Sequence, residues 1–342
     1  MVRVYRAPNM TELYDQVTDS LVYGKSEDLT IESTIDVQIH DIIAEADSME
    51  WEFDLKDAWI TKQRWSMMVR QYIDPVQLQA WIKRITSKTG KSGRGVAAFR
   101  TNIVKPRGGA ASGATNQESR VWGSCMLNIT YKAIPQPQIT LISRTSYLGY
   151  IGALDVSVAW MVGRYLAREL GIEMKDMKFV WVNQAIQWHN FKSLAYLLNH
   201  HDDDRRVHFR RLMMEPSSEL TREEKREILT YPALKLSRKW LQKVIQDDQQ
   251  GKHYGDFTYN TLRRIVRRFH TEVYGYDKAL EFEGWSKYKT GPMKGQDKEF
   301  FKAYEPLPSI PIETLDFSPI GLPLGGTYGE AYVGGGDEDD DE

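Results

Sequence analysis

The sequence predicts an α/β (α+β) fold: a large twisted sheet of mixed or antiparallel strands, flanked by helices around one main core. Three observations carry this expectation. Apolar spacing switches repeatedly between a helical and a two-residue period over residues 11–200. A hydrophobic content of 41% in 342 residues is enough to bury one sizeable core. Glycine- and proline-rich stretches fall between the periodic segments, where turns belong.

The elements follow in order. Leu13, Val17 and Leu21 recur at four-residue intervals between Thr11 and Tyr23, which predicts a first helix. Residues 29–43 alternate apolar and polar side chains and are rich in β-branched residues, and MEWEF at 49–53 alternates again, so both read as strands. Helical spacing returns from Asp57 to Val69 and from Pro75 to Ile85, the proline suiting a first helical turn. After a basic glycine loop at 90–95, VAAFRTNIV reads as a strand and residues 105–120 as a loop. MLNITYK (126–132) and QITLIS (138–143) form a hairpin across AIPQP, whose prolines cannot sit in a central ladder. Asp155 to Leu170 reads as a helix ending at Gly171, KFVWVNQ as a strand, and Asn190 to His200 as a helix. Charged helices follow residue 217, notably at 257–275, and the end of the chain is rich in proline, glycine and acid. The expected organisation is a core at 1–216, a helical extension packed on it at 217–305, and a flexible acidic tail at 306–342.

Lys and Arg number 45 against 47 Asp and Glu, a formal charge of −2, so overall charge makes no case for nucleic-acid binding. No apolar run approaches the roughly 18 residues of a membrane span, and MVRVYRAPNM lacks the apolar stretch of a secretory signal. A cytoplasmic protein without membrane contact is expected. The single cysteine, Cys125, excludes an internal disulfide and leaves two roles, a small buried hydrophobe or a reactive thiol. Adjacent residues His200 to Asp204 cannot all converge on one ion, so no metal is expected there. Arg263, Arg264, Arg267 and Arg268 lie beside an apolar stripe and read as a solvated helix face, with a nucleic-acid or acidic-partner surface as the alternative.

The segment VWGSCMLNITYKAIPQPQITLISRTSYLGYIGALDVSVAWMVGRYLA resembles the core of thymidylate synthases and of phage deoxycytidylate hydroxymethylases. There a turn presents a cysteine, two strands lead to an Arg-Ser pair, and a glycine bend precedes a helix bearing Asn or Asp. Here Cys125 is followed 19 residues later by Arg144-Thr145, then by Gly152 and Asp155. Upstream, SGRGVAAFRT resembles the family's arginine loop, and the likeness extends over residues 60–200.

The resemblance implies a homodimeric, folate-dependent enzyme that places a methyl or hydroxymethyl group on C5 of a pyrimidine deoxynucleotide, in the host cytoplasm if the gene is a phage's. Addition of the Cys125 thiolate to C6 would turn C5 into a nucleophile able to attack a one-carbon electrophile. Arg144 and Thr145 would hold the phosphate, with Arg94 reaching across from a partner subunit, and a guanidinium would favour the thiolate. Asp155 would read the base, where Asp suits cytosine and Asn suits uracil, which implies dCMP over dUMP. The same aspartate also fits a plain helix cap. His189 loosely matches the family's sugar-hydroxyl ligand, and 5,10-methylenetetrahydrofolate is the implied one-carbon donor. Gln63 stands where the family has a proton-transferring glutamate, and an amide is neither acid nor base. Glu50 and Glu52 are possible substitutes. A nucleotide-binding or scaffold protein that has lost turnover is therefore the alternative.

Overall fold

The computed structural model describes residues 2–25, 29–31, 36–58, 60–87, 97–100, 125–149, 151–189, 220–239 and 308–322. Its sheet has seven strands: β1 (Arg3–Ala7), β2 (Thr30–Ile31), β3 (Asp36–Ala46), β4 (Ala97–Arg100), β5 (Met126–Lys132), β6 (Gln138–Tyr147) and β7 (Lys178–His189). The order is β1-β3-β7-β6-β5-β4, with β2 pairing β3. The sheet is mixed. β1 with β3 and β6 with β7 are parallel, while β3 with β7, β5 with β6 and β4 with β5 are antiparallel. β5 and β6 flank the AIPQP turn, as the hairpin reading requires.

Among the described residues, helices α1 (Met10–Val22), α2 (Lys62–Tyr72), α3 (Pro75–Thr86) and α4 (Ile151–Leu170) flank the sheet. α1 packs on β1, β3 and β7, α4 on β6, and both α2 and α3 touch α4. Each of the first three begins at a side-chain cap that satisfies an otherwise orphaned N–H. Asn9 accepts from the Glu12 N–H, Thr61 from Arg64 and Asp74 from Gln77, with Pro75 in the first turn. α1 buries Leu13, Tyr14, Val17 and Leu21 on one stripe. α4 is buried over most of its surface and ends at Gly171 as expected. A fifth helix, α5 (Arg222–Thr230), opens with a Thr221–Glu224 capping box and is followed by helical residues 232–239. Ala233 and Leu234 enter the main core, and the Trp188 indole N–H donates to Ser237 Oγ at 3.1 Å.

Three adjacent strands share a kink. Residues 42, 44 and 46 of β3 are buried, but so are 37 and 39, and the phase of burial shifts by one residue near Asp41, whose φ is 55°. The same shift occurs between 183 and 186 in β7 and between 143 and 146 in β6. Asp41, Gln184 and Arg144, all exposed, lie at one level of the sheet. In β3 and β7 a strict two-residue alternation would have sent the apolar residues on one side of the shift to the wrong face.

Two expectations are corrected. MEWEF at 49–53 alternates because it runs extended over the core, burying Met49 and Trp51, yet it is no strand. Its backbone is satisfied elsewhere: the Glu50 carbonyl accepts the Met10 N–H, the Glu52 N–H donates to Thr11 Oγ1, and the Met49 N–H donates to the Met174 carbonyl. Residues 308–322, assigned to a flexible tail, form a packed strap. Ile312 and Phe317 are fully buried and Leu315 and Leu322 nearly so. Asp54 accepts from Ser309 and from the Ile310 N–H, Arg70 donates to the Pro319 carbonyl and Arg164 to that of Glu313. Composition argued for flexibility, whereas every second or third strap residue is a large apolar anchor. The loops at 90–95 and 105–120, the helices at 190–200 and 257–275, and residues 323–342 lie outside the described residues.

Candidate active site

The site grows from the β5–β6 ladder. Cys125 stands just before β5 and is half-buried, and its carbonyl accepts the Arg144 N–H at 2.8 Å. The thiol-bearing and guanidinium-bearing residues therefore lie opposite each other at the kink, with Arg144 exposed. Thr145 follows, half-buried and paired with Ala185 of β7. Ser146 is fully buried, and β6 ends one residue later.

The chain then turns sharply into α4. The Leu148 N–H donates to the Gln187 carbonyl at 2.9 Å, and Gly149 takes a φ of 74°, a conformation that favours glycine. Gly152 is fixed by proximity: a Cβ there would lie 2.8 Å from the Tyr147 carbonyl oxygen and 2.9 Å from Ser146 Oγ. The close approach of strand end and helix start brings Ser146 Oγ within 3.0 Å of Asp155 Oδ2, to which it donates.

Asp155 is not the cap of this helix. α4 starts at Ile151, so Asp155 lies in its second turn, fully enclosed, and the capping reading is corrected. Burial pushes its carboxyl up to about 8, and the Ser146 hydrogen bond only partly opposes this. Burial thus favours the neutral acid over the carboxylate. Its second oxygen, Oδ1, has no hydrogen-bond partner among the described residues.

Sequence reasoning missed Tyr14, which lies near this carboxyl, and the aromatic residues packed on Tyr14. Tyr14 of α1 accepts the Gly149 N–H at 2.8 Å, and its buried hydroxyl, close enough to feel the Asp155 charge, is pushed well above the usual phenol range by burial. Trp51 meets Tyr14 edge-on at 5.4 Å, stacks on Phe53 at 5.2 Å, and donates from its indole N–H to Ser157 Oγ at 3.1 Å. Tyr14 adjoins the Leu13, Val17 and Leu21 stripe, and nothing in the sequence sets it apart from a core position. Ser146 is a buried hydroxyl two residues beyond Arg144, but β6 buries a second serine, Ser143, so the residue type alone did not single it out.

Other expected site residues stand apart or outside. Gln63 is exposed in the first turn of α2, and no described contact joins it to Cys125 or Asp155. Glu50 and Glu52 are exposed on either side of Trp51. Arg94, the side chain of His189 and the run His200–Asp204 lie outside the described residues. The backbone of His189 ends β7, opposite Asp36. Among the described residues no group of three His, Cys, Asp or Glu could hold a metal, and no helix is long and apolar enough to cross a membrane.

No protein-family model matches this chain, and no curated protein matches its sequence. The geometry of the cluster is the remaining guide to its chemistry.

Proposed function

We propose that this chain is a thymidylate-synthase-like pyrimidine nucleotide C5 methyl- or hydroxymethyltransferase, with dCMP its preferred substrate and dUMP a possible one. The observation that supports the proposal is that Cys125 and Asp155 are both tied by hydrogen bonds to the end of β6 that carries Arg144. Cys125 is hydrogen-bonded through its backbone to Arg144, and Asp155 is bonded to Ser146, two residues beyond Arg144. A thiol, a permanently charged guanidinium and a buried carboxyl are the groups needed to attack C6, hold a phosphate and read the N3–C4 edge of the base.

In this reading the Cys125 thiolate forms a bond to C6, and the displaced π electrons make C5 nucleophilic toward a one-carbon donor. Arg144, with Thr145 beside it, binds the phosphate and favours the thiolate. Asp155 hydrogen-bonds N3 and the exocyclic amine, which requires the side chains now enclosing it to move aside when the base enters. The resemblance implies 5,10-methylenetetrahydrofolate as donor. A homodimer, with Arg94 completing the partner's phosphate site, accords with the sheet face opposite the helices. There Ile43, Ile142, Val180 and Val182 are only half-buried on adjacent strands, an apolar band that a second copy would cover.

A second reading, a nucleotide-binding protein without turnover, is favoured by one observation. Gln63 is an exposed amide where proton transfer would need an acid or base. Tritium release from [5-³H]dCMP and [5-³H]dUMP, with and without methylenetetrahydrofolate, separates the two. Release from dCMP that disappears in Cys125→Ser supports the transferase. Nucleotide binding without release supports the second reading, and absence of binding defeats both.

A further inference from the structure

We propose that the strap at 308–322 is a remote positioning element of the candidate site: docked on residues 53–55, it holds the Trp51 ring where that ring ties Tyr14 of α1 to Ser157 of α4. The proposal goes beyond the nucleotide reading, since it holds for any ligand that reaches Asp155.

The strap docks through its backbone, much as a short strand would. The Ile312 N–H donates to the Phe53 carbonyl at 2.8 Å and the Leu55 N–H to the Ile310 carbonyl at 3.1 Å, with Asp54 and Pro311 bridged between them. Asp54 adds a second hold, accepting from the Ile310 N–H at 2.9 Å and from Ser309 Oγ. Further along, Arg164 donates to the Glu313 carbonyl at 2.8 Å and Arg70 to that of Pro319 at 3.0 Å, so α4 and α2 grip the same segment. Residues 49–53 belong to no strand of the sheet, and their backbone depends on such local partners. Before Trp51 these are Met174 and Met10. After it, Thr11 takes the Glu52 N–H and the strap takes Phe53 and the Leu55 N–H. An undocked strap leaves these last two groups to water.

Phe53 passes this docking to Trp51 by direct contact, the two rings stacking at 5.2 Å with 16° between their planes. Trp51 in turn touches both sides of the site. Its ring meets Tyr14 edge-on at 5.4 Å, and the Tyr14 hydroxyl accepts the Gly149 N–H at 2.8 Å. Its indole N–H donates to Ser157 Oγ at 3.1 Å, a fully buried hydroxyl two residues beyond Asp155. One ring thus spans from the helix that holds the turn at Gly149 to the helix that carries the carboxyl. Tilting that ring with Phe53 stretches the bond to Ser157 and strips packing from Tyr14, so both holds on residues 149–157 slacken together. Every link from Ile312 to Gly149 is a hydrogen bond or a ring contact, a contiguous network of the kind that couples separated segments.

Coupling of this kind is reciprocal. A molecule that displaces Tyr14 to reach Asp155 disturbs the Trp51–Phe53 stack, and it loosens the strap by the same factor by which a loosened strap eases its entry. The docked strap is therefore a brake on the site, applied from a segment that touches neither Tyr14 nor Asp155 in any described contact.

The test is residue-resolved amide hydrogen exchange on the full chain without any ligand, so its outcome is independent of what the site binds. Wild type is compared with Asp54→Ala, Ser309→Ala, Trp51→Leu and the Asp54→Ala/Trp51→Leu double variant. The Ile312 amide reports strap docking, the Gly149 amide reports the turn, and the β5–β6 ladder amides report opening of the whole fold. Asp54→Ala removes charge-assisted bonds and should speed Ile312 about tenfold and Gly149 about threefold or more, with the ladder changing less. Asp54 also accepts the Lys56 N–H, so Ser309→Ala, which alters the strap side alone, should move both amides the same way by smaller factors. It decides the matter if Asp54→Ala does not fold. In the Trp51→Leu background, adding Asp54→Ala should still speed Ile312 but leave Gly149 unchanged. A faster Ile312 with an unaltered Gly149 in the single variants would overturn the proposal. So would Gly149 and the ladder accelerating by equal factors, which is loss of global stability alone. Persistence of the full Gly149 effect without the Trp51 ring would overturn it as well.

Discussion

Replacing Asp155 by asparagine should alter how stability depends on pH, and the structure sets the size of the effect. The carboxyl is fully buried and lifted from 3.8 to about 8. Between these values the folded chain holds a proton that the unfolded chain has released, so rising pH favours unfolding. The contribution is fully present below the unfolded value and is lost as pH climbs through the folded one. Each pH unit inside the window costs about 1.4 kcal/mol, so raising pH from 5 to 7 should remove about 3 kcal/mol from the wild type through this group alone. Asparagine cannot ionise, and its Oδ1 can still accept from Ser146. Urea unfolding of both proteins at pH 5, 6, 7 and 8 gives the comparison, with the difference in slope as the readout because other titrating groups cancel. The Asp155→Asn variant should gain on wild type at each step and level off above pH 8. Parallel profiles would show that the carboxyl is ionised inside the fold and would refute the burial argument.

Two further outcomes follow from neighbouring contacts. Tyr14→Phe leaves the buried Gly149 N–H without its acceptor, which should destabilise by about 1–3 kcal/mol and speed exchange of that amide, measured by hydrogen exchange; unchanged exchange would mean the phenol does not hold the turn. Phe317→Ala should cost about 3–5 kcal/mol in urea unfolding at any pH, because a fully buried ring beside Tyr165 is removed, and a loss under 1 kcal/mol would mean the strap is not part of the cooperative fold.

Periodicity served well where one residue type filled one face. The stripe of α1, the proline turn between β5 and β6 and the glycine at the end of α4 were all legible for that reason. It misled at MEWEF because alternation reports only that successive side chains face opposite ways, and an extended segment hydrogen-bonded to loops shares that property with a strand. The start of α4 was placed at Asp155 because aspartate is a good cap. The real start, four residues earlier, follows from the Gly149 turn and the close passage at Gly152, which depend on a strand brought alongside. Cys125, Arg144 and Asp155 could be picked out one by one. What could not be read was the Ser146 bond to Asp155, since a separation of nine positions gives no hint that the two side chains meet.

The strap also bears on the order in which the protein can finish folding. Asp54 and Leu55 receive partners from Ser309 and Ile310, some 255 residues later in the chain. At about 5–20 residues per second, a ribosome needs roughly 10–50 s to traverse that interval. Throughout it the apolar surface that Ile312 and Phe317 will cover stands open to water. The nascent chain thus carries a sticky, incomplete core for most of its synthesis, and mutations that weaken the strap should lower soluble yield more than they lower the equilibrium stability of protein already folded.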